Sequence, residues 1–139
     1  MSGNRYRHRR GSRTRRRLGP GSWHVRARVE RFGEPALLLL LEEGPAHGYE
    51  LLDRLPELLS NERIDMGNLY RVLRSLEEDG IVRSDWDADA PGPAKRIYEL
   101  TDDGRALLHT WAEALRGAAE TIEAFLARYE AKGGDHVPR

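Results

Sequence analysis

The 139-residue sequence contains no cysteine, and this absence excludes several kinds of chemistry. Disulfide bonds, thiolate zinc sites and cysteine nucleophiles cannot form. Five histidines lie at positions 8, 24, 47, 109 and 136, without a spacing that places two of them on one helix face. Since a metal site needs several convergent ligands, we expect no metal and no cofactor. A glycine-rich phosphate loop and an HExxH motif are also missing, so the sequence predicts no enzymatic activity.

Long apolar segments are absent as well. The longest apolar run extends from Pro35 to Leu41, much shorter than the roughly 20 residues that span a bilayer. The basic start of the chain is not followed by the apolar region of a secretion signal. We therefore expect a cytoplasmic protein, and the lack of cysteine suits a reducing compartment.

Charge is distributed unevenly, although the formal net charge is zero. Residues 1–31 contain eleven arginines and one glutamate, a net charge of +10, and the remaining residues carry −10. Few apolar residues and no periodicity occur in this leader, which predicts a disordered basic arm. Such arms bind phosphates and enter narrow minor grooves. The candidate DNA contacts are Arg13, Arg15, Arg16 and Arg17. An alternative is that the true start lies downstream of the arm.

The most informative segment extends from Ile64 to Thr101 and predicts a helix followed by a β-hairpin. One helix face is apolar and should be buried, with members Leu69, Val72, Leu73 and Leu76. The opposite face has small residues near its start, an amide and guanidinium groups, as a helix in a DNA major groove requires. Its members are Gly67, Asn68, Arg71, Arg74 and Ser75, with Tyr70 at the edge. Gly80 should end the helix.

Four sequence blocks in and around this segment resemble the PadR family of bacterial transcriptional regulators. They are Gly44-Pro-Ala-His-Gly-Tyr-Glu-Leu51, Gly67-Asn-Leu-Tyr-Arg-Val-Leu73, Leu76-Glu-Glu-Asp-Gly-Ile81 and Arg96-Ile-Tyr-Glu-Leu-Thr-Asp-Asp-Gly104. The blocks occur in order over about half of the chain. The resemblance implies a winged helix-turn-helix with a dimerising C-terminal helix. Some family members respond to planar aromatic or multidrug ligands, so the resemblance allows such a response here.

Two further helices are expected on either side of Gly44 and Pro45. The first, about residues 34–43, is apolar on all sides and should be buried in the centre of the domain. The second runs from about His47 to Leu55, where Pro56 should kink or end it. His47 is expected to cap or pack this helix.

The wing is expected to consist of two strands, residues 81–86 and 95–100. The loop between them carries aspartates, which phosphates would repel. We therefore assign the contacts of the wing with DNA to Lys95 and Arg96.

A long C-terminal helix is predicted from Asp102 to about Ala131, with Thr101 as its N-cap. About 30 residues make a rod of roughly 45 Å, which is longer than a small body can cover. Apolar residues recur along it mostly at alternating spacings of four and three, which predicts a dimerisation seam. The seam comprises Leu108, Trp111, Leu115, Ala118, Ile122, Phe125 and Tyr129. Trp111 is either an aromatic of the dimer core or, with Leu115, a wall of an effector pocket between two C-terminal helices.

The predicted fold class is mainly α with a small β-hairpin. It comprises a disordered basic arm (1–31), a winged helix-turn-helix (32–101), a dimerisation helix (102–131) and a flexible tail (132–139). We interpret the chain as a homodimeric, sequence-specific DNA-binding repressor that a small apolar or aromatic effector releases. Two alternatives remain open. One is a non-specific nucleoid or RNA-binding protein dominated by the arm, and the other is a protein-interaction module.

Overall fold

The computed structural model describes residues 15–25, 32–59, 65–89, 92 and 95–133. This part of the chain is mainly helical with small antiparallel sheets, and the predicted fold class is confirmed. Its helices are α1 (Gly33–Glu42), α2 (Gly48–Arg54), α3 (Met66–Glu78) and α4 (Asp102–Ala131). Its strands are β1 (Arg15–Gly19), β2 (Ser22–Val25), β3 (Ala46–His47), β4 (Val82–Trp86) and β5 (Arg96–Leu100).

Helix α1 lies in the core, as its five consecutive leucines predicted. It contacts α2, α4 and β5. Leu37, Leu38, Leu40 and Leu41 are buried, whereas Leu39 is exposed. Burying a leucine side chain stabilises a fold by roughly 1.5–3 kcal/mol, so α1 is the main apolar anchor of the domain.

Helix α2 begins and ends at the residues that the sequence indicated. His47 is its N-cap, and the His47 backbone N–H donates a hydrogen bond to Glu50 Oε1 at 2.7 Å. The helix stops at Arg54, and Leu55–Glu57 form a short 3₁₀ turn that contains Pro56. Proline lacks the N–H that would continue the α-helical bonding.

The wing has three antiparallel strands instead of the expected two. β4 pairs with β5, with Val82 opposite Leu100 and Trp86 opposite Arg96. The short strand β3 pairs with the other edge of β5, with His47 opposite Ile97. A two-residue strand has no periodicity that could reveal it in the sequence. Because β3 directly precedes α2, its pairing fixes the start of α2 beside the wing.

Helix α4 has a covered first part and an exposed second part. The Thr101 hydroxyl accepts a hydrogen bond from the Gly104 N–H at 3.0 Å, which confirms the predicted N-cap. Leu107 and Trp111 are buried in the core, while every residue from 119 to 132 is exposed. The seam prediction for Trp111 needs correction, because the start of α4 packs on α1 of its own chain. None of the helices in the described residues combines the length and apolarity needed to cross a membrane.

Residues 15–25 differ from the prediction of a disordered arm. They form a β-hairpin of β1 and β2, and β2 packs on α4. Trp23 is buried in the core cluster, and Val25 packs against it. Composition suggested disorder because the hairpin has few apolar anchors and depends on partners far along the chain. Arg13 and the rest of the predicted arm lie outside the described residues.

The charged side chains of β1 supply those distant contacts. Arg15 is only 5% exposed and forms ion pairs with Glu34 of α1 and Asp79 at the end of α3. Arg17 pairs with Asp103 of α4 at 2.5 Å. Both arginines predicted to contact DNA therefore have partners within the chain, and Arg15 is buried as well, so neither is a free cation for a phosphate in this structure. Two arginines of the leader are thus bound by carboxylates of the acidic body, which the charge count alone could not reveal.

Candidate nucleic-acid interface

Helix α3 has the two faces that the sequence predicted. Leu69, Leu73 and Leu76 are buried against the core. The helix begins after Asp65, whose carboxylate accepts a hydrogen bond from the Asn68 N–H at 2.8 Å. It ends before Gly80, which adopts a φ of 75° that other residues rarely tolerate. Because the leucine face is buried, the opposite face of α3 is turned outward.

Arg71 and Arg74 are exposed on the outer face of α3. Arg71 Nη1 donates to Asn68 Oδ1 at 3.2 Å, one helical turn away. Within the described residues, no carboxylate lies within ion-pair distance of either arginine. A guanidinium without a protein counter-ion can bind phosphate or fork onto the edge of a guanine.

Tyr70 lies at the edge of this face, where α3 meets α2. A Cβ atom added at Gly48 would lie 2.8 Å from the Tyr70 hydroxyl oxygen, so a larger residue at this position would have to displace the Tyr70 ring. Tyr98 of β5 lies nearby. Burial raises the pKa of the Tyr98 phenol, and Tyr70 raises it further, while Arg96 lowers it. The Tyr98 phenol therefore stays neutral, and it lies buried behind the exposed face.

Tyr49 is an exposed aromatic residue that the sequence analysis did not single out. Its ring stacks on His47 with centroids 5.3 Å apart. The Lys95 Nζ atom lies 5.4 Å from the centre of the same ring. A phenol and an ammonium group thus share one surface between α2 and the wing. The only signal in the sequence was an aromatic residue in the first turn of a short helix, a pattern that also fits a core residue.

His47 joins α2 to the wing. Its Nε2 atom lies 2.8 Å from Asp87 Oδ2, and its Nδ1 atom lies 3.1 Å from Glu50 Oε1. Both ring nitrogens therefore contact carboxylates. No group of three metal-ligating side chains occurs anywhere in the described part of the chain. The contacts of His47 hold Tyr49 next to Lys95.

Arg96 has partners within the wing. Its Nε atom donates to Ser84 Oγ at 3.0 Å, and its Cζ atom lies 4.7 Å from the centre of the Trp86 ring. Ser84 Oγ in turn donates to Glu77 Oε2 of α3 at 2.9 Å. These contacts favour a role for Arg96 in orienting the wing on α3. Its direct contact with DNA stays a prediction.

A cavity of about 450 Å³ lies between α1 and α4 of the single chain. Trp111 and Leu115, the two residues suggested for an effector pocket, both line it. The Trp111 Nε1–H donates to Glu34 Oε2 at 2.8 Å, which fixes the indole ring against the wall. Most of the lining is apolar, and it also includes Phe32, Pro35, Ala36, Leu39, Leu58, Leu108 and Ala112. The polar residues of the lining are Glu42, Arg105 and His109.

Comparisons with known proteins match this architecture. A family model described as the transcriptional regulator PadR-like family matches residues 37–110. A solved structure of a conserved protein, described as a potential transcriptional factor, is 32% identical, with a TM-score of 0.64. That match covers 78% of this chain and 96% of the other. No curated protein matches the chain.

Two further solved structures carry the family name. A PadR family transcription regulator from hypervirulent Clostridium difficile is 22% identical and has a TM-score of 0.61, with 68% of this chain and 98% of that chain covered. Bacillus subtilis PadR in complex with operator DNA is 28% identical and has a TM-score of 0.52. Here 59% of this chain and 46% of the Bacillus chain are covered. The family model, which matches more than half of the chain, establishes that the chain belongs to the PadR-like family of transcriptional regulators.

Proposed function

We propose that this protein is a homodimeric, sequence-specific repressor that binds operator DNA in the cytoplasm and is released by a small apolar or aromatic effector. The observation that carries the proposal is the exposed face of α3, on which Asn68, Arg71 and Arg74 lie together without a carboxylate partner among the described residues. The operator complex of the Bacillus relative supports the same use of the domain.

The geometry of the face supports a division of the contacts between bases and phosphates. Arg71 and Asn68 are adjacent near the start of α3, where a reading helix contacts base edges. Tyr49 and Lys95 flank the helix as donors for phosphate oxygens, which fix the register of a protein on the duplex. Arg16 is exposed on β1 and can add a phosphate contact.

Dimerisation is supported by the second part of α4. Ile122, Phe125, Leu126 and Tyr129 are all exposed in the single chain, and Phe125 is 67% exposed. A row of large apolar side chains on a helix without a covering element is typical of an interface. The partner that fits it is the same face of a second copy, since an antiparallel or parallel pair of such helices buries both rows.

An effector is supported by the cavity beside Trp111. Its volume of about 450 Å³ falls within the range of roughly 300–1,000 Å³ that is usual for small-molecule sites. Its mainly apolar lining favours a flat, uncharged compound.

Footprinting on the DNA upstream of the gene for this protein tests the proposed function. One protected palindrome, lost when a planar apolar compound is added, is expected. Uniform protection would indicate a non-specific nucleoid or RNA-binding protein, and no protection would indicate a protein-interaction module.

Sedimentation of Phe125→Asp tests the dimer. Two introduced charges in an apolar interface would each lack a partner and cost several kcal/mol, so we expect a folded monomer. Glu123→Asp, at a neighbouring exposed position of α4, is the control and should remain a dimer. A dimeric Phe125→Asp would show that this face is not the interface.

A further inference from the structure

Glu34, in the first turn of α1, is shared between two partners from distant parts of the chain. Its Oε1 atom forms an ion pair with Arg15 of the N-terminal hairpin. Its Oε2 atom accepts the hydrogen bond from Trp111 Nε1 of α4 at 2.8 Å. Arg15 in turn contacts Asp79 Oδ2 through Nη2 at 2.5 Å. Trp111, Glu34, Arg15 and Asp79 therefore form an unbroken chain of polar contacts.

The two ends of this chain lie at functionally different places. Trp111 is a wall of the cavity between α1 and α4. Asp79 directly follows the last residue of α3, the helix that carries Arg71 and Arg74 on its outer face. The chain thus connects the cavity to the end of the candidate reading helix, by way of a hairpin that the family match over residues 37–110 does not include.

The middle of the chain is the part best shielded from water. The Arg15 side chain is 5% exposed and the Glu34 side chain 15%, compared with 46% for Asp79. Arg15 makes one charge-assisted hydrogen bond to each of two carboxylates, and water competes least with such bonds where they are buried. If α3 moves relative to α1, Arg15 must either carry Glu34 and Trp111 with it or lose an ion pair.

We propose that Arg15 is a positioning residue that links the end of α3 to Trp111, so that DNA bound on α3 and the state of the cavity wall depend on each other. This inference rests on the proposed DNA-binding function. Arg15 acts through Asp79 and Glu34 and does not touch DNA. Linkage requires the effect to be reciprocal: if DNA changes the affinity of the cavity for a compound, that compound changes the affinity for DNA by the same factor.

The test follows the tryptophans by fluorine NMR of the full chain labelled with 5-fluorotryptophan. The signals of Trp23, Trp86 and Trp111 are assigned with single Trp→Phe variants. The titrant is a duplex from the DNA upstream of the gene, and a scrambled duplex of equal length serves for comparison. Saturation of the wild type with the upstream duplex should shift the Trp111 signal. In Arg15→Met, DNA still binds but the Trp111 signal should stay at its position in the free protein.

A second pair of variants keeps the test valid if Arg15→Met does not fold. Asp79→Ala breaks the same chain at its exposed end, so it should also abolish the Trp111 shift. Glu78→Ala removes the exposed neighbouring carboxylate but leaves the chain of contacts intact, so it should keep the wild-type shift.

The outcomes separate this inference from the proposed function. DNA binding by mobility shift without a Trp111 shift in the wild type would overturn the inference alone. A Trp111 shift that persists in both Arg15→Met and Asp79→Ala would also overturn it, since the signal would then travel by another route. Absence of binding to either duplex would overturn the proposed DNA-binding function and the inference with it.

Discussion

Two pairs of arginines in this protein have opposite surroundings. Arg15 and Arg17 of the hairpin contact Glu34, Asp79 and Asp103 of the body. Arg71 and Arg74 of α3 project outward and have no carboxylate partner among the described residues. The side chains are chemically identical, so the difference arises from which residues the fold places around each guanidinium.

This contrast shows that the net charge of a segment does not by itself predict that the segment binds DNA. A charge of +10 in residues 1–31 suggests attraction to DNA, but an equal and opposite charge lies in the rest of the chain. Where the body supplies a shaped acidic site, the arginine is bound internally and releases no counterion from DNA. Only arginines that lie outside such acidic sites add to the positive surface charge that attracts DNA.

The largest expected effect concerns the arginines that precede the hairpin. Deleting residues 1–14 removes five arginines from each chain, and each phosphate contact contributes a slope of about −0.9 in log affinity against log salt. If three to five of them engage per chain, a dimer would lose roughly five to nine units of slope. Binding to random DNA at two salt concentrations measures this loss. Arg17→Met should leave the slope unchanged, and a drop of about two units for that variant would mean that Arg17 contacts phosphates.

The next effect concerns stability. Arg15→Met should lower the free energy of unfolding by about 3 kcal/mol, because it leaves Glu34 poorly solvated beside Trp111 without its cation. Arg71→Met, at an exposed position, should change it by less than about 0.5 kcal/mol. Urea denaturation compares the two variants. Equal stability would remove the distinction between the internal and the outward arginines.

A third effect concerns sequence discrimination. Arg71→Ala should remove about 1–3 kcal/mol of preference for the operator over random DNA, provided that Arg71 forks onto a guanine edge. Competition binding with the two duplexes measures this difference. Arg116→Ala is the matched control, since Arg116 is an exposed helical arginine of α4 that pairs with Glu113. An equal loss of affinity for both duplexes would show that Arg71 contacts only phosphate.

The smallest effect concerns Tyr98, the buried tyrosine of β5. Burial raises the pKa of Tyr98 in the folded protein. As pH rises past about 10, the unfolded chain therefore loses its phenol proton first, and the folded state loses stability. Unfolding midpoints measured above pH 10 should fall less steeply in Tyr98→Phe than in the wild type. Tyr129→Phe, at an exposed position, is the control, and an equal pH dependence in all three proteins would contradict a buried Tyr98.

Local patterns were enough to predict most of the domain. The apolar face of α3, the proline at position 56 and the cap at Thr101 each depend on residues a few positions apart, and the structure has them where the sequence indicated. The outward arginines of α3 could be predicted for the same reason. A helix that buries Leu69, Leu73 and Leu76 must expose Arg71 and Arg74.

The features that the sequence did not predict depend on long-range contacts. The hairpin is held by pairs such as Arg15 with Asp79, and Trp111 is covered by a helix about seventy residues earlier in the chain. The strand β3 exists only through its pairing with β5. Periodicity reports which side of an element is apolar, but it does not say whether the covering surface belongs to the same chain or to a second copy.

The sequence positions of these ion-pair partners limit when the hairpin can dock during synthesis. Arg17 leaves the ribosome well before Asp103, because 86 positions separate them in the sequence. At the usual elongation rate of about 5–20 residues per second, the hairpin waits roughly 4–17 seconds for that partner. Glu34 and Asp79, the partners of Arg15, are synthesised earlier, so Asp103 is the last of the three carboxylates to become available. Docking of the hairpin on α4 is therefore a late step, which is complete only after nearly three quarters of the chain has been made.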